Sequence, residues 1–335
     1  MRYNLTRRAI VKTLAAAGLA VGLSVPAVAQ EKTLRLSHHI SPGHLVDVAS
    51  HQFADLVAEY TDGAIKVDVF PSGQIAGLRQ GAEAVQLGTV DFVWSDMGTL
   101  GNWKPEYGFV SLPFLFADDD HFEAFFGGEG GAELAAAVQD NLGIEALGFG
   151  NAGFRVVATR DTAVHGPADM EALRIRVPEI PVYVGAFKSV NTNPTPMAWG
   201  EVYTALQTGV IDAVENPAEG LVNGAMQEVT GHLSKTFHIM TDVNLFANGA
   251  LMASLSEEHR DAVRRASAIA VAEFNAKTRA NAQKNWDILA ETMETVDNPD
   301  RAAFQKAMAP VWDEFLGRAG DAGQAWIDKV SAASK

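Results

Sequence analysis

Between residues 173 and 217 the chain reads LRIRVPEIPVYVGAFKSVNTNPTPMAWGEVYTALQTGVIDAVENP, and this stretch narrows the possible folds more than any other. Residues 173–177 alternate as a strand does, with Leu173, Ile175 and Val177 on one face and Arg174 and Arg176 on the other. Pro178 stops that strand just beyond Arg176. An amphipathic run follows over 199–208, with Val202, Ala205 and Leu206 at helical spacing and Gly209 as its stop. A second strand, 211–214, runs into Glu215-Asn216-Pro217. Strand, helix and strand in that order belong to α/β folds, whose ligands sit at the carboxyl ends of the strands. Arg176 and Asn216 both stand at such an end. A planar five-donor fork beside a neutral donor and acceptor suits a carboxylate. On composition alone, a surface strand arginine and a turn asparagine are the favoured account of the pair.

The alternation begins near the start of the chain. Residues 34–36, 65–70 and 90–94 read as strands, and 43–60 and 77–87 as the helices between them, which predicts parallel strands with crossover helices. Residues 118–141 read as helix interrupted by Gly127, Gly128, Gly130 and Gly131. Residues 148–153 are a literal G-x-G-x-x-G behind a strand at 144–147. A dinucleotide site needs a helix next, whereas 154–159 reads as a strand, so the glycines mark a bend where the chain crosses between lobes. Arg155 lies just past that bend, where a structural ion pair is its plain alternative use. From 154 to 241 the alternation repeats as a second lobe. The chain returns through 244–253 and ends in a long amphipathic helix at 257–295 and shorter ones near 302–316 and 324–331.

Residues 1–29 read as a targeting segment: a basic start, an apolar run at 13–25 too short to span a bilayer, and Ala27-Val28-Ala29 as a cleavage signal. Arg7-Arg8 has the look of a twin-arginine export signal, with an ordinary Sec signal as the alternative. Either route leads to the periplasm. Removing the segment takes away four basic residues and no acids, so the formal charge moves from −15 to −19. Such acidity argues against nucleic acid and against anionic membrane surfaces. It also means that an anionic ligand must be held by local cations against the overall field. With no cysteine, disulfides, thiolate metal sites and cysteine nucleophiles are excluded.

The wording RIRVP at 174–178, followed by NPTPMAWGEVYTALQTGVIDAVENP at 193–217, closely resembles the substrate-binding proteins of tripartite ATP-independent periplasmic (TRAP) transporters, the DctP family. PSGQIAGLRQGAEAVQLGTVDF at 71–92 and SLPFLF at 111–116 resemble the same family, and the likeness runs from about Leu34 to the C-terminus. The resemblance implies a two-lobed α/β periplasmic-binding-protein fold, similar to type II, with a ligand cleft between the lobes and the long helix packing across both. Lobe I would be 30–152 plus about 242–281, and lobe II 153–241 plus about 282–335. It further implies a receptor, not an enzyme, that needs no cofactor. Such a receptor acts as a monomer and passes a small organic acid to integral-membrane permease subunits.

Carried over residue by residue, the resemblance makes Arg176 the carboxylate clamp, Arg155 a second cation, Asn216 a neutral anchor and Trp199 an apolar wall. His39, Asp96 and Glu179 would meet the ligand's variable end. His39 and Leu78 replace a polar Asn and an acidic residue of the sialic-acid-binding relatives, which argues against that sugar acid. Two rival classes stand beside this reading. One is a periplasmic metal-assisted hydrolase built on His38, His39, His44 and His51, although their spacing matches no standard zinc pattern. The other is a binding protein of a different transporter class, or a sensor.

Overall fold

The structure, a computed structural model, describes residues 32–333; the targeting segment read at 1–29 lies outside the described residues. Among the described residues ten strands occur in chain order: β1 (Lys32–Ser37), β2 (Ile65–Phe70), β3 (Phe92–Ser95), β4 (Ile144–Thr159), β5 (Arg174–Val177), β6 (Asn193–Pro196), β7 (Ala213–Pro217), β8 (His232–Ser234), β9 (Met240–Asn248) and β10 (Glu294–Val296). They join in the order β2-β1-β3-β9-β4-β7-β5-β6, with β8 paired to β4 and β10 to β8.

The expected parallel crossovers are present at both ends of the sheet. β1 pairs in parallel with β2 and β3, and β5 in parallel with β6 and β7. In the middle, where the alternation gave no direction, β3–β9, β9–β4 and β4–β7 are antiparallel. The reason is topological. β4 carries the chain out from the first half and β9 brings it back, so two crossings that pair with each other must run in opposite directions.

The bend predicted at 148–153 is not a loop. β4 runs unbroken for 16 residues, and its pairing with β9 slips between Ala146 and Gly148 and again between Asn151 and Gly153. Such bulges bend a strand without ending it. Gly153 takes the left-handed φ of +89° that the second slip needs, and a Cβ on Gly150 would lie 2.4 Å from the Val243 carbonyl oxygen. The glycine run therefore serves backbone geometry and close packing.

The long helix, Glu257–Thr292, stops short of 295 because the next residues form β10. Its first half buries Val263, Ala266, Ala270 and Phe274 against Leu36, Phe53 and Trp94. Its far end buries Leu289, with Trp286 alongside, against Val156, Leu206 and Leu221. The helix is thus seated in the cores of both halves, at roughly 1.5–3 kcal/mol for each large apolar side chain buried. A third cluster joins Phe109, Phe116 and Phe125 to Ile175 and Phe187, and Phe315 and Trp326 of the last helix, Pro310–Ala333, close it.

Candidate ligand-binding site

In β5 and β7, Ile175 lies opposite Ala213 and Arg176 opposite Val214, so β7 runs on past the end of β5 and carries Asn216 beyond Arg176. Arg176 is 4% exposed. Its Nε donates to the Met197 carbonyl at 2.9 Å, and its guanidinium lies 5.3 Å from the centre of the Trp199 ring. Its two terminal nitrogens have no partner among the described residues. Burial, followed by repulsion from Arg155, pulls its pKa down to about 10 against the pull of nearby acids. Arg176 stays charged at neutral pH with most of its fork unused.

Arg155 is bound differently. Its Nε and one terminal nitrogen donate to the two carboxylate oxygens of Glu215. The same terminal nitrogen reaches the Glu215 carbonyl at 2.8 Å, and the other donates to Thr241 Oγ1 at 3.2 Å. Of its five N–H donors this leaves one. Burial opposes both charges, yet the partners outweigh it: Arg155 is raised above its ordinary pKa and Glu215 held below its own. His238 Nε2 approaches Glu215 at 3.3 Å, and Thr236 Oγ1 fixes His238 Nδ1 at 2.8 Å. The ion-pair use of Arg155 is therefore realised, with one donor to spare.

Two carboxyl groups sit beside these cations. Asp96 directly follows β3, and burial together with the neighbouring Asp242 raises its pKa to about 8. Asp242 Oδ2 accepts from the Met97 N–H at 2.6 Å and from Asn244 Nδ2 at 2.5 Å, and burial raises Asp242 to about 6. At neutral pH Asp96 keeps its proton and can donate a hydrogen bond. In an unfolded chain it would lose that proton near the ordinary 3.8. The folded state then binds more protons from about pH 4 to about pH 8, so this group's contribution to stability falls as pH rises through that window. Asp96→Asn should remove most of that fall. Melting temperatures of unliganded parent and variant at pH 5 and pH 8 check it: the variant should gain on the parent at pH 8, and parallel curves would contradict the assignment.

The first long helix, Leu45–Tyr60, is capped from two directions. His44 Nδ1 accepts the Val46 N–H at 3.1 Å, and Glu219 Oε1, from the short helix Ala218–Asn223, accepts the Leu45 N–H at 2.9 Å. Burial lowers His44 to about 3, so it is neutral, and its 3.8 Å approach to Glu219 is no ion pair. His39 is likewise lowered to about 3, by burial and then by Arg176. The early histidines do not gather into a metal centre. His44 is an N-cap, His38 lies 3.3 Å from Asp47, and His51 is 62% exposed. Among the described residues no three His, Asp or Glu side chains are placed to share an ion.

Six of the seven residues singled out in the sequence line one cavity of about 670 Å³, its mouth included: His39, Asp96, Arg155, Arg176, Trp199 and Asn216. Leu78 lines it too. Glu179 does not. One residue past Pro178 the chain has turned toward the helix Pro181–Ser189, and the Glu179 carbonyl accepts from Asn102 Nδ2 at 3.2 Å instead. The sequence reading missed Glu215, Glu219, His44 and Asp242. Glu215 stood within the quoted ENP run, but only the register of β4 against β7 shows that it faces Arg155.

A mixed sheet encloses a cavity holding a guanidinium whose terminal nitrogens have no partner among the described residues, an arrangement suited to holding a carboxylate solute. The profile of the DctP family, bacterial extracellular solute-binding protein family 7, matches residues 36–318. A solute-binding protein of Verminephrobacter eiseniae is 34% identical over 298 residues, covering 88% of each chain. The 2,3-diketo-L-gulonate-binding periplasmic protein of Escherichia coli K12 is 31% identical over 312 residues, covering 92% of this chain and 94% of that one. The crystal structure of a TRAP periplasmic solute binding protein from Sulfitobacter sp. NAS-14.1, with bound β-D-galacturonate, superposes with a TM-score of 0.86 at 28% identity, covering 89% and 99%. The chain belongs to the DctP family of TRAP solute-binding proteins.

Proposed function

We propose that this protein is a periplasmic receptor that captures a small organic acid and hands it to the membrane permease of a TRAP transporter. Arg176 clamps the carboxylate, with the remaining Arg155 donor and Asn216 beside it and Trp199 as the wall. One observation carries this reading: a buried, charged guanidinium whose terminal nitrogens meet no protein acceptor, in a cavity of ligand size. Such a group is costly to bury alone and is satisfied by a carboxylate that fits its fork. Capture is binding and release, without covalent chemistry. The lobes are 30–152 with about 242–281, and 153–241 with about 282–335, and β4 and β9 carry the crossings between them.

A thermal-shift screen of the protein against small organic acids tests the reading. A ligand at about 100 times its dissociation constant adds roughly 2.7 kcal/mol of stability. At least one carboxylate should raise the melting temperature clearly, and a matched neutral amide of the same acid should not. A flat response across a broad panel of acids would remove the receptor function.

A further inference from the structure

We infer that Glu219 reads the end of the ligand remote from its carboxylate and makes this a site for hydroxylated monocarboxylates; the inference rests on the receptor reading above. Glu219 lies just past the end of β7, lines the ligand cavity, and forms part of the wall shared with an adjoining cavity. Its two oxygens are in different states. Oε1 is fixed by the Leu45 N–H at 2.9 Å, a contact 174 residues away in sequence. Oε2 is buried and has no hydrogen-bond partner among the described residues. A buried carboxylate oxygen without a donor is unfavourable, and a hydroxyl on the ligand is the donor it lacks. The hydrogen bond to Leu45 holds the carboxylate in one orientation, so the acceptor is positioned before the ligand arrives.

The charges around the cavity set the rest of the ligand. Arg155 is neutralised by Glu215, so Arg176 is the one lining cation without a compensating carboxylate on it. His39 and His44 are neutral, and the other titratable lining groups, Asp96 and Glu219, are acids. Burial raises Glu219 to about 7, so at pH 8 it is mostly a carboxylate, and its one hydrogen bond among the described residues is to the Leu45 N–H, with no arginine on it. One carboxylate matches Arg176. A second one brought against Glu219 at pH 8 would meet a carboxylate and no cation, and like charges brought together in a closed site are strongly disfavoured.

The test is calorimetric titration at pH 8 of the parent and of Glu219→Gln, which keeps the acceptor for Leu45 and loses the charge. Three six-carbon acids serve as probes: galactonate, galactarate and hexanoate. Galactonate has hydroxyls and one carboxylate, galactarate has hydroxyls and two, and hexanoate has one carboxylate and no hydroxyl. The parent should bind galactonate at least about tenfold more tightly than either of the others. Glu219→Gln should narrow the galactonate-to-galactarate ratio by a similar factor. Equal binding of galactarate by the parent, or a ratio unmoved in the variant, overturns the inference and leaves the receptor function intact. So does a thermal-shift screen led by a dicarboxylate or by an acid without hydroxyls. If no acid of any kind binds, the receptor reading itself has failed, which is a separate outcome.

Discussion

Arg176→Ala is expected to weaken binding of the captured acid by about 30-fold to several thousand-fold, and Arg176→Lys to remain clearly impaired. Truncating one partner of a buried charge pair typically costs about 2–5 kcal/mol, and each 1.4 kcal/mol is about a decade of affinity. Lysine restores the charge, so an intermediate loss would be natural for a simple point contact. Here the geometry argues for a large one. Nε is already held by the Met197 carbonyl, which aims the two terminal nitrogens, and the guanidinium carbon lies over the Trp199 ring at 5.3 Å from its centre. An ammonium cannot reproduce the parallel donors. Arg174 provides the control. It is half exposed and occupied with Asp212 at 2.9 and 2.5 Å, so Arg174→Lys should leave affinity nearly unchanged. Calorimetric titration of the three variants with the acid found in the screen decides it: an Arg176→Lys protein that binds like the parent would mean that the clamp lies elsewhere.

The second large effect concerns stability. Glu215 is fully buried, holds Arg155 through two side-chain contacts and touches His238. Glu215→Ala leaves the Arg155 charge without its counter-ion in the interior, which typically costs 3–5 kcal/mol. For a chain of this size that corresponds to a fall in melting temperature of roughly 10 °C. Replacing both partners with apolar residues, Arg155→Met together with Glu215→Leu, should recover most of the loss, because the desolvation of both ions disappears. The pair also has a pH signature. Glu215 sits below its ordinary 4.5 in the folded protein, so its contribution is present above that value and is lost as the pH falls through the folded pKa. A Glu215→Ala protein that melts within a degree or two of the parent would show that the pair is not the support described.

Much of the site was readable because it is local. Arg176, Trp199 and Asn216 lie within about 40 residues on successive elements, and the prolines and glycines that stop those elements are visible in the sequence. What was not readable depends on contacts between distant segments. Whether Arg155 serves a ligand or an ion pair turns on Glu215, 60 residues on, which is brought opposite by strand register alone. Glu219 looks like one more acid in an acidic chain until Leu45 is seen against it. Glu179 failed for the opposite reason: proximity to Arg176 in sequence implied proximity to the ligand, but Pro178 ends the alternation and the chain turns away. The parallel pairs read from the alternation at 34–94 are present, whereas the antiparallel middle was not legible, since periodicity identifies strands and says nothing about the direction in which β4 and β9 meet.

The long helix has a mechanical consequence. It is clamped at two places, by the cluster ending at Phe274 and by Leu289, and no residue between those two is buried. That span is about 20 Å of helix whose ties to the rest of the protein are mostly polar: Asn275 accepts from the Asn151 N–H at 2.8 Å and Arg279 pairs with Glu123 at 2.6 Å. A rod seated in an apolar core at each end and tied mainly by polar contacts between them is expected to act as a leaf spring. A change in the angle between the two halves should flex residues 275–288 before it unseats either grip, because a polar contact at the surface is cheaper to break than a packed core is to empty.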